Sequence, residues 1–268
     1  MSKLSGTATL SAITVLESPR VIDKGKTILF DAHLFFYDDP ESSSNALMLL
    51  RYYNDQDLTF DEVGTYLIHA NIARMENIIE SRQLSQDLEK KDYVLVGDVI
   101  QLIPLNEQVN PKYQPFVNIN GIVTSCNEKD HTFHVSAKSY VHVLKDHKDL
   151  ATLPVHCYAP KTKRWEEYPP RPRVNAYVGV AGFLHSLRRQ KDGMVDHFNI
   201  EIDQIAYLGR PYVPSTGMQN ISSPVAGSAS PVTKRTRFSY TDSPTQAKKR
   251  GFSELLSESG SSQTNTSP

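Results

Sequence analysis

Between Lys161 and Lys191 the chain concentrates side chains that could hold a polyanion. Lys161, Lys163, Arg164, Arg171, Arg173, Arg188, Arg189 and Lys191 stand against two acids, Glu166 and Glu167, a local charge of +6. Aromatic residues are set among or beside them: Tyr158, Trp165, Tyr168 and Tyr177. Cations that follow phosphates, and flat rings on which unpaired bases stack at about 1–3 kcal/mol each, are the two requirements of a single-strand site. Trp165, the one tryptophan of the chain, either stacks against a base or partner or plugs its domain. Tyr177 and Phe183 have opposite parity to Val178, Val180 and Leu184, so one of these sets faces the core. We read Tyr177 as outward. Stacking and phosphate contacts read every base alike, so little sequence specificity is expected.

Other chemistries find less support. His131, His134, His142, His147 and His156 fall within 26 residues, with Cys126 and Cys157 nearby. No Cys-x2-Cys or paired helical histidine spacing accompanies them, so strand and loop histidines are the plainer reading and no metal is expected. There is no phosphate-cradling glycine loop, no Gly-x-Ser-x-Gly elbow and no His-Glu-x-x-His. The carboxylates of the first half lie in turns. No catalytic constellation emerges, and neither an enzyme nor a cofactor is expected.

The elements that would position these residues are mostly strands. Segments 7–16, 27–37, 46–54, 64–74 and 93–103, then 116–125, 131–143, 153–159, 174–186 and 197–208, have strand composition bounded by turn residues. Ile200 and Ile202 alternate with Glu201 and Asp203, a half-buried strand. Asp192-Gly193 reads as a hairpin turn. Segment 76–91, with Ile78, Ile79 and Leu88 among charges, reads instead as a short amphipathic helix. The length of 268 residues predicts two domains plus a tail. These are an acidic domain over 1–105, a linker over 106–115 marked by Asn110-Pro111 and Gln114-Pro115, a basic domain over 116–214, and a tail over 215–268.

Charge follows that division. The net charge of −1 hides −7 over 1–105 and +3 over each of 106–214 and 215–268. Such asymmetry suits a polyanion on one side and a protein partner, or the neighbouring domain, on the acidic side. No apolar run approaches the roughly 20 residues that span a bilayer, and two cysteines suit a reducing compartment. The halves also echo one another. Tyr66 and Ala70 align with Tyr177 and Ala181, while Tyr93, Asp98 and Ile100 align with Phe198, Asp203 and Ile205.

Five strands per half without helical alternation is the pattern of a small Greek-key barrel. The run KTKRWEEYPPRPR (161–173), NAYVGVAGFLHSL (174–187), RRQKDGM (188–194) and FNIEIDQIAYLG (198–209) resembles the last two strands of an OB-fold of the replication-protein-A type. The resemblance implies two tandem OB-like barrels, with Gly179 and Gly182 allowing the second to close and the hairpin folding over single-stranded DNA or RNA. It departs from the family where a helix between the third and fourth strands gives way to the proline-rich loop. A role in DNA replication or repair is expected, with the nuclear location resting on the tail; a protein-interaction scaffold without nucleic acid is the alternative. On this reading segments 161–173 and 188–194 form two walls of one cationic trough with Trp165 exposed at its rim.

The tail is rich in Ser, Thr, Gly, Pro, Gln and Asn and reads as disordered. Lys234-Arg235, with Arg237 nearby, and Lys248-Lys249-Arg250 have the form of a bipartite nuclear-import signal for an import carrier. Ser223, Ser230 and Ser243 precede prolines as candidate phosphorylation sites. A phosphate on Ser243 would cancel charge inside the signal.

Overall fold

Hydrophobic alternation is the dominant local signal, and it becomes strand. In a computed structural model, which describes residues 6–22, 25–36, 46–105 and 109–209, β1 (Thr7–Ile22) buries Ala8, Leu10, Ala12, Thr14 and Leu16 and turns the residues between them outward. That period of two is what a pleated strand imposes. The first set continues with β2 (Thr27–Leu34), β3 (Ala46–Tyr53), β4 (Val63–Arg74) and β5 (Tyr93–Pro104). The second comprises β6 (Phe116–Asn127), β7 (Thr132–Lys138), β8 (Thr152–Tyr158), β9 (Tyr177–Arg189) and β10 (Val195–Gly209). Each of the ten expected segments overlaps one of these strands. The tail, its import signal and its Ser-Pro sites lie outside the described residues. Among the described residues no helix is long and apolar enough to cross a membrane.

Both sets close on themselves. The orders are β2-β3-β5-β4-β1 with β1 returning to β2, and β6-β7-β8-β10-β9 with β9 returning to β6. The third and fifth strands of each set run parallel, β3 with β5 and β8 with β10. This circuit is the five-stranded Greek-key barrel of the OB-fold, so the protein is mainly β with two tandem OB-like barrels. The barrels share a sheet, because β1 pairs antiparallel with β6 from Thr7–Asn120 to Ser11–Phe116. Residues of the internal echo fall on equivalent strands: Tyr66 and Tyr177 on the fourth, Tyr93 and Phe198 on the fifth.

Two local expectations are corrected. Segment 76–91 is no helix; among 76–92 only Ser81–Gln83 and Lys90–Asp92 make single 3-10 turns. Its apolar residues serve a flat surface instead of a helical stripe. Ile79 and Leu84, with Met75, cover Leu29, Leu47, Leu49, Tyr93 and Val96 of the first barrel, joined by Val141, Leu144 and Ala151 from the β7–β8 connection. A buried polar knot pins this roof: Asp31 accepts two hydrogen bonds from Arg20 at 2.7 Å each, one from Tyr93 Oη at 2.7 Å and one from Ser85 Oγ. Second, a helix does stand between the third and fourth strands of the second barrel. It is α1 (Lys163–Glu167), starting ahead of the prolines that forbid its continuation.

Of the two glycines expected to close the second barrel, Gly182 is the demanding one. A Cβ there would lie 2.1 Å from the Glu201 carbonyl oxygen, a backbone atom that cannot step aside. At Gly179 the nearest obstacle is the side-chain oxygen of Asn120 at 2.8 Å, which can rotate. Gly182→Ala is therefore expected to cost about 1–3 kcal/mol in urea unfolding, as overpacking does. Gly179→Ala should cost less, and equal costs would contradict the close approach.

Candidate nucleic-acid interface

The outward face of the second barrel is built by strand register. His134 on β7 stands opposite His156 on β8, His156 opposite Asn199 on β10, and Asn199 opposite Ser186 on β9. These four lie in one row because inward positions such as Phe133, Val155, Cys157, Phe198 and Ile200 fill the core. His197, one outward position along β10, joins them. Ring centroids of His134 and His156 are 4.8 Å apart, those of His134 and His197 5.3 Å, and those of His156 and His197 5.8 Å.

Polar partners fix the rings. His156 Nδ1 is 3.0 Å from Asn199 Oδ1, a side-chain amide oxygen that can only accept, so this nitrogen carries the proton. The Asn199 amide then donates to Ser186 Oγ at 2.9 Å. His197 Nδ1 faces Asp196 at 2.9 Å. Burial and the neighbouring His156 and His197 hold the His134 imidazole below its ordinary pKa, with Asp196 pulling weakly the other way. The next row holds Tyr158, Glu201 and Phe183. Tyr158 meets His185 edge-on at 5.9 Å. The face is thus a half-exposed platform of flat polar rings. Among the described residues, no group of three or more His, Cys, Asp or Glu is arranged to hold a metal ion.

Cations border this platform at the β9–β10 hairpin. Gly193, at φ +87°, makes the turn, and Arg188 stands opposite His197 in the β9–β10 register. Arg188, Arg189 and Lys191 are exposed. Arg189 is nevertheless committed: its guanidinium donates to the carbonyls of Lys91 at 2.8 Å and Gly193 at 2.7 Å, tying hairpin to first barrel. Arg74 adds bonds to the carbonyls of Val195 and Asp196. These ties bring Lys90 and Lys91, two basic residues of the acidic half, beside the hairpin.

The trough expected between segments 161–173 and 188–194 is not there. Segment 161–173 lies at the other end of the β9–β10 ribbon, where Arg164 donates to the Asp203 carbonyl and the Arg171 backbone to Tyr207 Oη. From Asp203 to Val195 is roughly 25 Å along the strand at about 3.3 Å per residue. Trp165 is also not at a rim. It is 9% exposed and belongs to the core cluster, with the Arg164 guanidinium 4.5 Å over its ring. An indole set in this one-turn helix can bury a large apolar surface, which its exposed charged neighbours Lys163, Arg164, Glu166 and Glu167 cannot.

The remaining expected residues scatter around that far end. Lys161, Lys163, Tyr168, Arg171 and Arg173 are exposed, and Lys163 sits 3.9 Å from Glu167. Arg171 and Arg173 line a cavity of about 670 Å³ with Cys126 and His131. Tyr177 lies half-buried on the outward side of β9, its phenol pKa raised by burial. From the expected set, therefore, Tyr158, Arg188, Arg189 and Lys191 accompany the ring platform.

No protein-family model matches the chain, and no curated protein matches it by sequence. Solved structures do match. One is the wild-type single-stranded DNA binding protein from Thermus aquaticus, 15% identical, over 78% of this chain and 95% of that one, with a TM-score of 0.40. Another is a deletion variant of the same protein, 14% identical over 79% and 98%, with a TM-score of 0.38.

In the sequence, His134, His156 and His197 are visible only as scattered histidines. Their signal is parity: each is an outward position in an alternating strand, and two share the strand pair 132–138 and 152–158.

Proposed function

We propose that the chain is a non-catalytic binder of single-stranded DNA or RNA, acting through the second barrel. OB-folds bind oligonucleotides on the face of their second and third strands and on the loops between strands one and two and strands four and five. In the second barrel that face carries His134, His156 and Tyr158, Arg188 lies at the end of β9 leading into the latter loop, and the loop itself carries Lys191. The ring row on β7, β8 and β10 is the observation that carries this reading. Imidazole and phenol rings stack on bases, and the hairpin cations neutralise phosphates. In the first barrel the matching face is roofed by 75–84 and 141–151, so that face is closed to an oligonucleotide.

Fluorescence anisotropy with labelled oligo-dT across a salt series tests the reading. Affinity should fall steeply with salt, and Arg188→Ala with Lys191→Ala should reduce the salt slope by about 2, one for each phosphate deprived of its cation. His156→Ala should weaken binding at every salt concentration. Unmeasurable binding at low salt would overturn the proposal. Retention of protein partners after nuclease treatment would then favour the scaffold reading. We further propose import into the nucleus through Lys234, Arg235, Arg237, Lys248, Lys249 and Arg250, and a protein partner at the acidic first barrel.

A further inference from the structure

We propose that the His134–His156–His197 cluster makes polyanion binding proton-linked: the second barrel takes up protons as a phosphate backbone lands on it, and affinity rises as pH falls. This rests on the interface reading above. Three imidazoles with centroids 4.8–5.8 Å apart cannot all carry charge cheaply in the free protein, because each proton repels the next. A phosphodiester over the platform removes that obstacle by supplying the missing counter-charge. The cluster is thus poised to accept protons only when an anion is present.

The surroundings favour this response. On β10, Asp196 lies 2.9 Å from His197 Nδ1 and is the carboxylate beside that ring, while Glu201 lies a row away beside Tyr158. On β9, Arg188 faces His197, and His185 meets Tyr158; β6 presents the uncharged Thr124, whose hydroxyl donates to the His134 carbonyl. With Asp196 engaged and Arg188 disfavouring further charge, His134 and His156 have no carboxylate of their own within the row. His156 already donates through Nδ1 to Asn199, so its Nε2 is the position open to a new proton. The burial and ring neighbours that depress the His134 pKa in the free protein leave it neutral near pH 7, with room for a bound-state rise.

The sign follows from linkage. A group whose pKa is higher in the complex than in the free protein strengthens binding once pH falls through the bound value. Each proton taken up gives up to about tenfold in affinity per pH unit. We expect the full chain to bind oligo-dT at least about tenfold more tightly near pH 6 than near pH 8 at fixed ionic strength. Calorimetry in two buffers of different ionisation enthalpy should show net uptake of about one proton or more. His134→Gln with His156→Gln should flatten the pH slope and lower the proton count, whatever its effect on affinity. His147→Gln, at an exposed histidine off this face, should leave the slope as it is. Measurable binding with a flat pH profile and no proton uptake overturns this proposal alone. A slope that survives in the His134/His156 variant also overturns it. Absence of binding at both pH values removes the interface and the linkage together. Should the double variant fail to fold, the proton count on the unaltered chain decides.

Discussion

Replacing Asp31 with alanine should cost about 3–5 kcal/mol, the loss typical when one partner of a buried ion pair is removed. Asp31 is 2% exposed, and its carboxylate is the acceptor for Arg20, Ser85 and Tyr93 together. Its removal leaves the Tyr93 and Ser85 hydroxyls without this acceptor under an apolar roof and strips Arg20 of its counter-charge, although the guanidinium keeps the Ser18 and Gln83 carbonyls and Ser85 Oγ. Arg20 keeps some contact with water, with 24% of its side chain accessible, which places the expected cost toward the lower end of that range. Tyr93→Phe deletes one of the four bonds and should cost about 1 kcal/mol. Urea unfolding of both variants checks the order. An Asp31→Ala unfolding free energy within about 1 kcal/mol of the unaltered chain's would show that the knot does not pin the roof.

The same knot sets limits in pH. Burial raises the Asp31 pKa, but the bonds from Arg20, Ser85 and Tyr93 outweigh it and the net value lies below the ordinary carboxylate. Its stabilisation is then present above about pH 4 and is lost as pH falls through the depressed folded value. Tyr93 works at the other end: burial, then its bond to Asp31, pushes its phenol up to about 12 from 10.0. The fold favours the neutral phenol, so that contribution is complete below about pH 10 and disappears as pH rises toward 12. Stability should therefore show a plateau between these two limits, and Asp31→Ala should flatten its acid side.

How far the sequence reaches depends on whether a feature is local. The strands are legible because Ile200 and Ile202 must alternate with Glu201 and Asp203 wherever the strand lies, and the Asp192-Gly193 turn needs only its own backbone. The cations of 161–191 are equally legible as charges. Their places are not, because a thirteen-residue strand, β9, separates the two groups and no composition reveals which end of a ribbon a loop folds toward. The histidine row depends on register between β7 and β8, 22 positions apart in sequence at His134 and His156. Asp31 shows the same limit: in LFDAHL it looks like any outward acid, and only the crossing of the 75–92 segment buries it. Trp165 reads as exposed because its sequence neighbours are charged and proline-rich, whereas burial is decided by the barrel end beneath it.

That reversal yields the second large effect. Trp165→Ala should destabilise the protein by about 3–5 kcal/mol, as large-to-small changes at buried aromatics do. The indole belongs to the core cluster that fills the second barrel, and its α1 neighbours are charged and exposed. The first barrel offers a parallel at the same connection, where Phe60 packs edge-on against Phe30 at 5.0 Å and Tyr52 at 5.7 Å. Trp165→Phe should therefore recover part of the loss. Arg164→Ala should cost only about 0.5–1 kcal/mol, because its guanidinium lies over the solvent side of the ring. For oligonucleotide binding the expectation is opposite to that for His156→Ala. Once the folded fraction is accounted for, Trp165→Ala should bind oligo-dT as the unaltered chain does. As the chain's one tryptophan, Trp165 also reports on itself: its emission should be that of a buried indole and should be quenched little by oligo-dT. A stable Trp165→Ala protein that no longer binds would return the indole to the interface and move the site to the other end of the β9–β10 ribbon.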